Sequence, residues 1–265
     1  MPEASEVRLT TDFLNSSLKD KKIINWIFTG DIYNDNYPSG YEEFYNDLPL
    51  NVDEVNCNGK LIYFKLSSRN KKYFILHSLM LSGRWQKMYD NNCKWFVETD
   101  DGQTFWFRDI KSLATIKFTP DEEVLKTHLS ILGPDIMSSI FKLPNFRILI
   151  KKYSTYNVCS FLMDQSVISG VGNYIKAEVL YDAKVSPFRQ VGTLNDTEID
   201  LLYQALYVLS RISYNNRGLS IGDYTDENGQ KGFHNRVLKI YGKSFATKTK
   251  TPDGCFTYWD PTVQR

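Results

Sequence analysis

Apolar residues alternate with polar ones along the first half of the chain and recur at spacings of three and four along the second. Between residues 22 and 118 the runs IINWIF, KLIYFKL, YFILHSLML, KWFVETD and QTFWFRD read as strands, because alternation sends every second side chain to a buried face. Asn58-Gly59 and Asp101-Gly102 punctuate them as hairpin turns. Residues 5–19 read as a short helix. From Asp121 the period lengthens: EEVLKTHLSIL, NFRILIKKY, EIDLLYQALYVLSRI and the two segments flanking Gly170-Val171-Gly172-Asn173 fit helices. The change of period sets a boundary near Thr119-Pro120. A closing β-hairpin fits residues 246–259, turning at Pro252-Asp253-Gly254. The chain is thus expected to be α+β: an N-terminal antiparallel β-sandwich or flattened barrel with flanking helices over 1–119, a helical domain over 120–243 and a hairpin over 244–265.

The segment DQSVISGVGNYIKAEVLYDA, residues 164–183, is the most informative. Apolar or small side chains at Ile175, Ala177, Val179, Leu180 and Ala183 give helix spacing and leave the charges on the opposite face. Asn173 is then the expected N-cap. Gly170 and Gly172 let the backbone approach whatever lies before the helix N-terminus, where free N–H groups and the dipole favour an anion such as a phosphate. A tight turn between two packed helices fits the same four residues.

Composition excludes several classes. In 265 residues, 42% hydrophobic and 24% charged content suits a globular chain with a sizeable core. No apolar run approaches the roughly eighteen residues of a membrane span, and the start MPEASEVRLT lacks a signal pattern, so an intracellular chain without a membrane partner is expected. The cysteines Cys57, Cys93, Cys159 and Cys255 lie far apart and form no C-x-x-C pair, which predicts reduced thiols. The net charge of +1 hides an asymmetry. Residues 1–138 hold 16 basic against 20 acidic side chains, net −4, and residues 139–265 hold 16 against 11, net +5. From Lys231 to Arg265, seven basic residues and two acidic ones interleave with Phe233, Tyr241, Phe245, Phe256, Tyr258 and Trp259, a composition that fits a nucleic-acid strand.

Three places taken together identify a family. The chain begins Met1-Pro2-Glu3-Ala4-Ser5-Glu6-Val7, Lys60 follows the Asn58-Gly59 turn, and QSVISGVGNYIKAEVLYDAKVSPF stands in the helical half. In this it resembles the formamidopyrimidine-DNA glycosylase and endonuclease VIII family of base-excision repair enzymes, whose N-terminus reads Pro-Glu-x-x-Glu-Val and whose helix–two-turn–helix element is similar to Gln165–Pro187. Further echoes run from His77 to Gly83, over Leu132-Gly133-Pro134 and from Val237 to Lys243, in the family's order.

The resemblance implies a glycosylase and abasic-site lyase, monomeric and without a cofactor, whose partner is DNA carrying oxidised bases or abasic sites. Pro2, freed of Met1, would be the nucleophile. An α-amino group titrates at about 7.7–8.0, so roughly a tenth is neutral at pH 7, far more than for a lysine. Attack on the sugar C1′ leaves an iminium ion that acidifies the C2′ proton and promotes β-elimination. Glu3 matches the acid that assists ring opening. Glu6 either caps the first helix or orients the site. Lys60 matches the lysine near the target phosphate and sugar. Gly172 and Asn173, with Tyr241, Lys243 and Arg265, would contact DNA, the first two through phosphates. A non-catalytic binder of damaged DNA, or a lyase limited to abasic sites, would share much of this pattern.

The departures from the family are equally specific. Many members fill the vacated helix with Met, Arg and Phe from two loops; the matching segments here offer Leu81 and Asp109-Ile110-Lys111-Ser112-Leu113. That resembles the endonuclease VIII-like branch, which favours single-stranded or bubble DNA. The family's closing zinc finger reads Arg-x-Thr-x-aromatic-Cys-x-x-Cys-Gln, whereas GCFTYWDPTVQR places Asp260 and Val263 at the cysteines and Cys255 at the arginine. A zincless finger held by Phe245, Phe256, Tyr258 and Trp259 is expected, with no metal; either Arg265, Lys248 or Lys250 substitutes for the arginine, or the enzyme binds duplex poorly and stops more often after β-elimination, which is the outcome expected here.

Overall fold

A computed structural model describes residues 2–29, 33, 36–218 and 238–265; Met1, Phe233 and Val237 lie outside them. Helix α1 (Ala4–Leu18) leads into β1 (Lys22–Phe28), and a short α2 (Tyr41–Asn46) precedes β2 (Leu50–Asn58) and β3 (Leu61–Ser67). The strands β4 (Lys72–Ser78), β5 (Arg84–Gln86), β6 (Cys93–Thr99), β7 (Thr104–Arg108) and β8 (Thr115–Thr119) follow. All eight join one antiparallel sheet in the order β5-β7-β6-β1-β2-β3-β4-β8. The sequence pattern missed β2 because a bulge between Val52 and Glu54 breaks the alternation at the acidic pair Asp53-Glu54.

The sheet folds over onto itself. His77 on β4 packs its ring 5.6 Å from Trp95 on β6 and 4.7 Å from Phe107 on β7, although β1, β2 and β3 lie between β4 and β6 in the hydrogen-bonded order. Trp26 sits at the centre, edge-on to Phe44, Phe64, Trp85 and Phe118 at 5.4–5.9 Å. Rings of this size bury the largest apolar areas available to a chain and set the sandwich's thickness.

The second part holds α3 (Glu122–Ile131), α4 (Leu143–Lys152), α5 (Val158–Met163), α6 (Asn173–Asp182) and α7 (Asp196–Asn215). Asp121, Asn157 and Asn195 cap α3, α5 and α7 with their side chains. The chain closes with the hairpin β9 (Thr247–Lys250) and β10 (Phe256–Trp259). Among the described residues no helix is long and apolar enough to cross a membrane.

Helix α1 stitches the two parts together. Its Ala4 belongs to the helical core with Ile168, Val171 and Ile175, while Val7, one turn on, belongs to the sandwich core with Leu14 and Trp26. Ser5 donates to the Ser210 carbonyl at 2.8 Å and Tyr214 donates to Asp12 at 2.6 Å. The first turn of the chain is thereby fixed at the junction.

Helix α6 departs from the amphipathic expectation. Every residue from Tyr174 to Leu180 is buried, including Lys176 and Glu178, so its charges do not face solvent. A buried charge must be paired. The Glu178 carboxylate accepts the amides of Lys239, Ile240 and Tyr241 at 2.7–2.9 Å, and Lys176 meets Asp253.

Candidate active site

The two-residue turn between β2 and β3 pairs Asn58 with Leu61 and leaves Gly59 and Lys60 at its tip. Gly59 has φ +57°, and a Cβ there would lie 2.6 Å from the Ser169 side chain. Ser169 also donates to Asn58 at 2.9 Å, and Ala4 donates its amide to the Gly170 carbonyl at 2.9 Å. The N-terminus, the sandwich turn and the entrance to α6 thus meet at one point, and the bare backbones of Gly59 and Gly170 permit the approach.

Glu3 occupies that point and is almost completely buried. Its carboxylate accepts the amides of Gly172 at 2.8 Å, Tyr174 at 2.9 Å and Ile175 at 3.1 Å. Two expectations change here. The N-cap of α6 is Gly172 rather than Asn173, which is the first helical residue. The N–H groups expected to await a phosphate are already donated to a carboxylate from the chain's own start. An anion at a helix N-terminus is what the dipole favours, and Glu3 supplies it internally. The Asn173 Oδ1 is buried with no hydrogen-bond partner among the described residues.

Burial pushes the Glu3 carboxyl up to about 7, against the opposing pull of Lys60 and of the Tyr174 amide. Burial also lowers Lys60, with Glu3 and Glu6 opposing it. Glu6 caps the first helix: its Oε2 accepts the Glu3 amide at 2.8 Å in a capping box, and its Oε1 accepts the Tyr174 hydroxyl at 3.1 Å and the Ser213 hydroxyl at 3.2 Å. Pro2 is buried immediately before this pair. A carboxyl near neutrality, a partly desolvated lysine and an N-terminal residue, all held by backbone, can move a proton and steady an anion together.

Tyr241 joins the cluster, its ring 6.4 Å from that of Tyr174 and 5.0 Å from that of Tyr258, and its hydroxyl is raised first by burial and then by the Glu3 charge. Lys243 lies half-buried two residues on. Arg265 is not brought in. Its amide bonds the Lys184 carbonyl and its carbonyl accepts the Ser186 amide, both at 3.0 Å, beyond the C-terminal end of α6 and so one helix length from Glu3.

The hairpin is assembled differently from the expectation. Phe245 and Phe256 are 62% and 52% exposed and do not form a core. Trp259 packs on Phe188 at 5.5 Å, Thr251 and Thr257 are buried 2.8 Å apart, and Gln264 donates to the Val185 carbonyl at 2.9 Å. Lys248 lies over the Phe256 and Tyr258 rings. The residues do not fit a zinc centre: residues 244–265 contain Cys255 and no histidine, and among the described residues no set of three His, Cys, Asp or Glu is placed to hold a metal.

Beyond β4, whose last residue Ser78 pairs with Leu61 beside Lys60, two loops present Met80 with Leu81 and Ile110 with Leu113, all exposed. Buried Asp109 ties them together, accepting from Ser82, Leu113 and Ala114, while the Lys111 amide donates to Ser82. Sequence reasoning missed Met80, Tyr174, Lys176 and Asp253.

A curled antiparallel sandwich joined to a helical domain, with an N-terminal carboxylate capping a glycine-led helix at the junction, defines the class. The formamidopyrimidine-DNA glycosylase N-terminal domain matches residues 1–116 and the formamidopyrimidine-DNA glycosylase H2TH domain matches residues 132–219, so the chain belongs to the formamidopyrimidine-DNA glycosylase and endonuclease VIII family. The formamidopyrimidine-DNA glycosylase of Listeria innocua is 27% identical over 199 residues, covering 73% of this chain and 71% of that protein. That of Protochlamydia amoebophila is 29% identical over 260 residues, covering 92% and 89%. The fold matches that of a Lactococcus lactis FPG variant solved with Fapy-dG-containing DNA, with a TM-score of 0.85 and 22% identity over the whole of both chains.

Proposed function

We propose that this chain is a base-excision DNA glycosylase and abasic-site lyase that removes oxidised bases through a Schiff base on Pro2. The observation that carries the reading is the convergence of Pro2-Glu3, Gly59-Lys60 and Gly170–Ile175 around one buried carboxyl of raised pKa. With Met1 removed, the Pro2 amine attacks C1′ of an everted nucleotide and the glycosidic bond breaks. Protonated Glu3 gives its proton to the sugar ring oxygen, which opens the ring and leaves an iminium ion. Loss of the C2′ proton then expels the 3′ phosphate, and water releases the amine. Lys60 and Asn173 hold phosphates flanking the lesion, as the family resemblance implies.

The finer substrate reading is the endonuclease VIII-like one: oxidised pyrimidines, taken from single-stranded or bubble DNA. Its support is the apolar character of Met80, Leu81, Ile110 and Leu113, which offer no hydrogen-bonding side chain to an opposite base.

Borohydride trapping on a lesion-bearing single strand tests the reaction. The adduct should map to the N-terminal peptide, and Pro2→Gly should diminish it. Full activity in protein that retains Met1, or an undiminished adduct relocated to Lys60, would overturn the Pro2 assignment. Base release scored apart from strand cleavage distinguishes a glycosylase from a lyase limited to abasic sites.

A further inference from the structure

The Lys176 Nζ lies 2.5 Å from Asp253 Oδ2, with both side chains sealed from solvent at 0% and 3% exposure. Lys176 stands on the first turn of α6, one residue beyond Ile175, whose amide holds Glu3. Asp253 stands on the turn joining β9 to β10, next to Gly254 at φ +81°. Its other oxygen lies 2.5 Å from the Thr251 hydroxyl, itself 2.8 Å from that of Thr257. The Thr251 amide bonds the Cys255 carbonyl at 2.9 Å and the Gly254 amide bonds the Thr251 carbonyl at 2.9 Å. The loop is therefore closed around the carboxylate.

A lysine this deeply buried is tolerated only with its counter-ion in place, and losing one member of such a pair is far more damaging than replacing both. Besides this pair, the Trp259–Phe188 and Tyr258–Tyr241 ring contacts hold the β10 side of the hairpin to the helical part. The hairpin has four residues per strand and two exposed phenylalanines, and a lone two-stranded hairpin is marginal in water. We propose that the Lys176–Asp253 ion pair fastens the hairpin to α6 in the structural place a finger metal would take, and so positions the hairpin beside Glu3 and Lys60 for DNA. The Tyr258 ring lies 5.0 Å from that of Tyr241, whose hydroxyl feels the Glu3 charge, in keeping with a hairpin that reaches the cluster. The DNA half of this proposal rests on the glycosylase reading; the fastening does not.

Amide hydrogen exchange on the whole protein tests the fastening without DNA. In Asp253→Asn and Lys176→Met the amides of residues 247–250 and 256–259 should exchange at least about tenfold faster while those of β2 and β3 stay as they are. Asp253→Glu should keep most of the protection, and the double change Lys176→Met with Asp253→Leu should restore it. A chelator should leave the parent unchanged. Hairpin protection equal to the parent's in both single variants, or a hairpin released by chelator, would overturn the proposal. Should the single variants fail to fold, the double variant decides: a folded protein with a protected hairpin supports the fastening, and an unfolded or unprotected one sinks it. On an abasic-site oligonucleotide, Asp253→Asn should raise Kd about tenfold and leave the trapping rate at saturating DNA within about twofold. An unchanged Kd removes the positioning role. Failure of the parent to bind or trap defeats the glycosylase reading while the exchange result stands.

Discussion

Glu3 Oε2 accepts the amide of Gly172 at 2.8 Å across 169 residues of chain, and a Cβ on Gly172 would lie 2.3 Å from the Glu3 carboxyl carbon. The two residues are complementary, because the carboxylate fills the volume a side chain at 172 would need.

Gly172→Ala should therefore displace Glu3 and cost about 1–3 kcal/mol of stability, the usual range for overpacking. Denaturant midpoints measure that cost, and abasic-site cleavage should fall with it. In a Glu3→Ala background the same substitution should cost less, since the clash is gone. Additive losses would show that the contact is unimportant.

Glu3 titrates at about 7 when folded, against its ordinary 4.5. Between those values the folded state holds more protons than the unfolded state, so this group's contribution makes stability fall as pH rises. The full effect is about 3 kcal/mol. Glu3→Gln should remove this contribution, so that stability between those limits rises with pH as the opposing His77 proton dictates. It should also reduce excision from an intact nucleoside far more than cleavage of a preformed abasic site. Equal losses on the two substrates would argue against a ring-opening acid.

His77 has the opposite sign. Its Nδ1 lies 2.9 Å from the Thr115 carbonyl in an aromatic cage, and burial lowers it from 6.5 to about 4. The unfolded state then binds more protons between those values, so stability is lost as pH falls through that window, by about 3 kcal/mol when complete. His77→Phe should remove this opposing contribution and leave stability falling with rising pH through the Glu3 window, as urea titrations across the pH range would record. A profile unchanged from the parent's would place the responsible proton elsewhere.

Lys60 and Asn173 should act through phosphate. Replacing either with Ala should weaken binding to all DNA sequences alike, by about 1.5–3 kcal/mol for a charge-assisted contact. Lys60→Ala should also reduce the salt dependence by about one ion's worth. Binding isotherms over a salt series check both, and a sequence-selective loss would contradict them.

The sequence by itself determined what short-range pattern can carry. Strand alternation, the Asn58-Gly59 and Asp101-Gly102 turns, the helix over 5–19 and the Pro252-Asp253-Gly254 turn are local, and local sterics set them. The motif order also made the family recognisable, and with it Pro2, Glu3 and Lys60. Tertiary structure decided what fills the space in front of α6. Periodicity leaves a helix N-terminus and two glycines open to any anion, and only the docking of α1 across the junction delivers Glu3 there. It likewise decided that Lys176 and Glu178 are interior charges, because a helix surrounded on all sides has no solvent face to offer them. It removed Arg265 from the site by anchoring the chain end at the opposite end of α6. Each of these outcomes depends on contacts between residues tens to hundreds of positions apart, and a pattern read along the chain carries no term for such contacts until the fold has closed them.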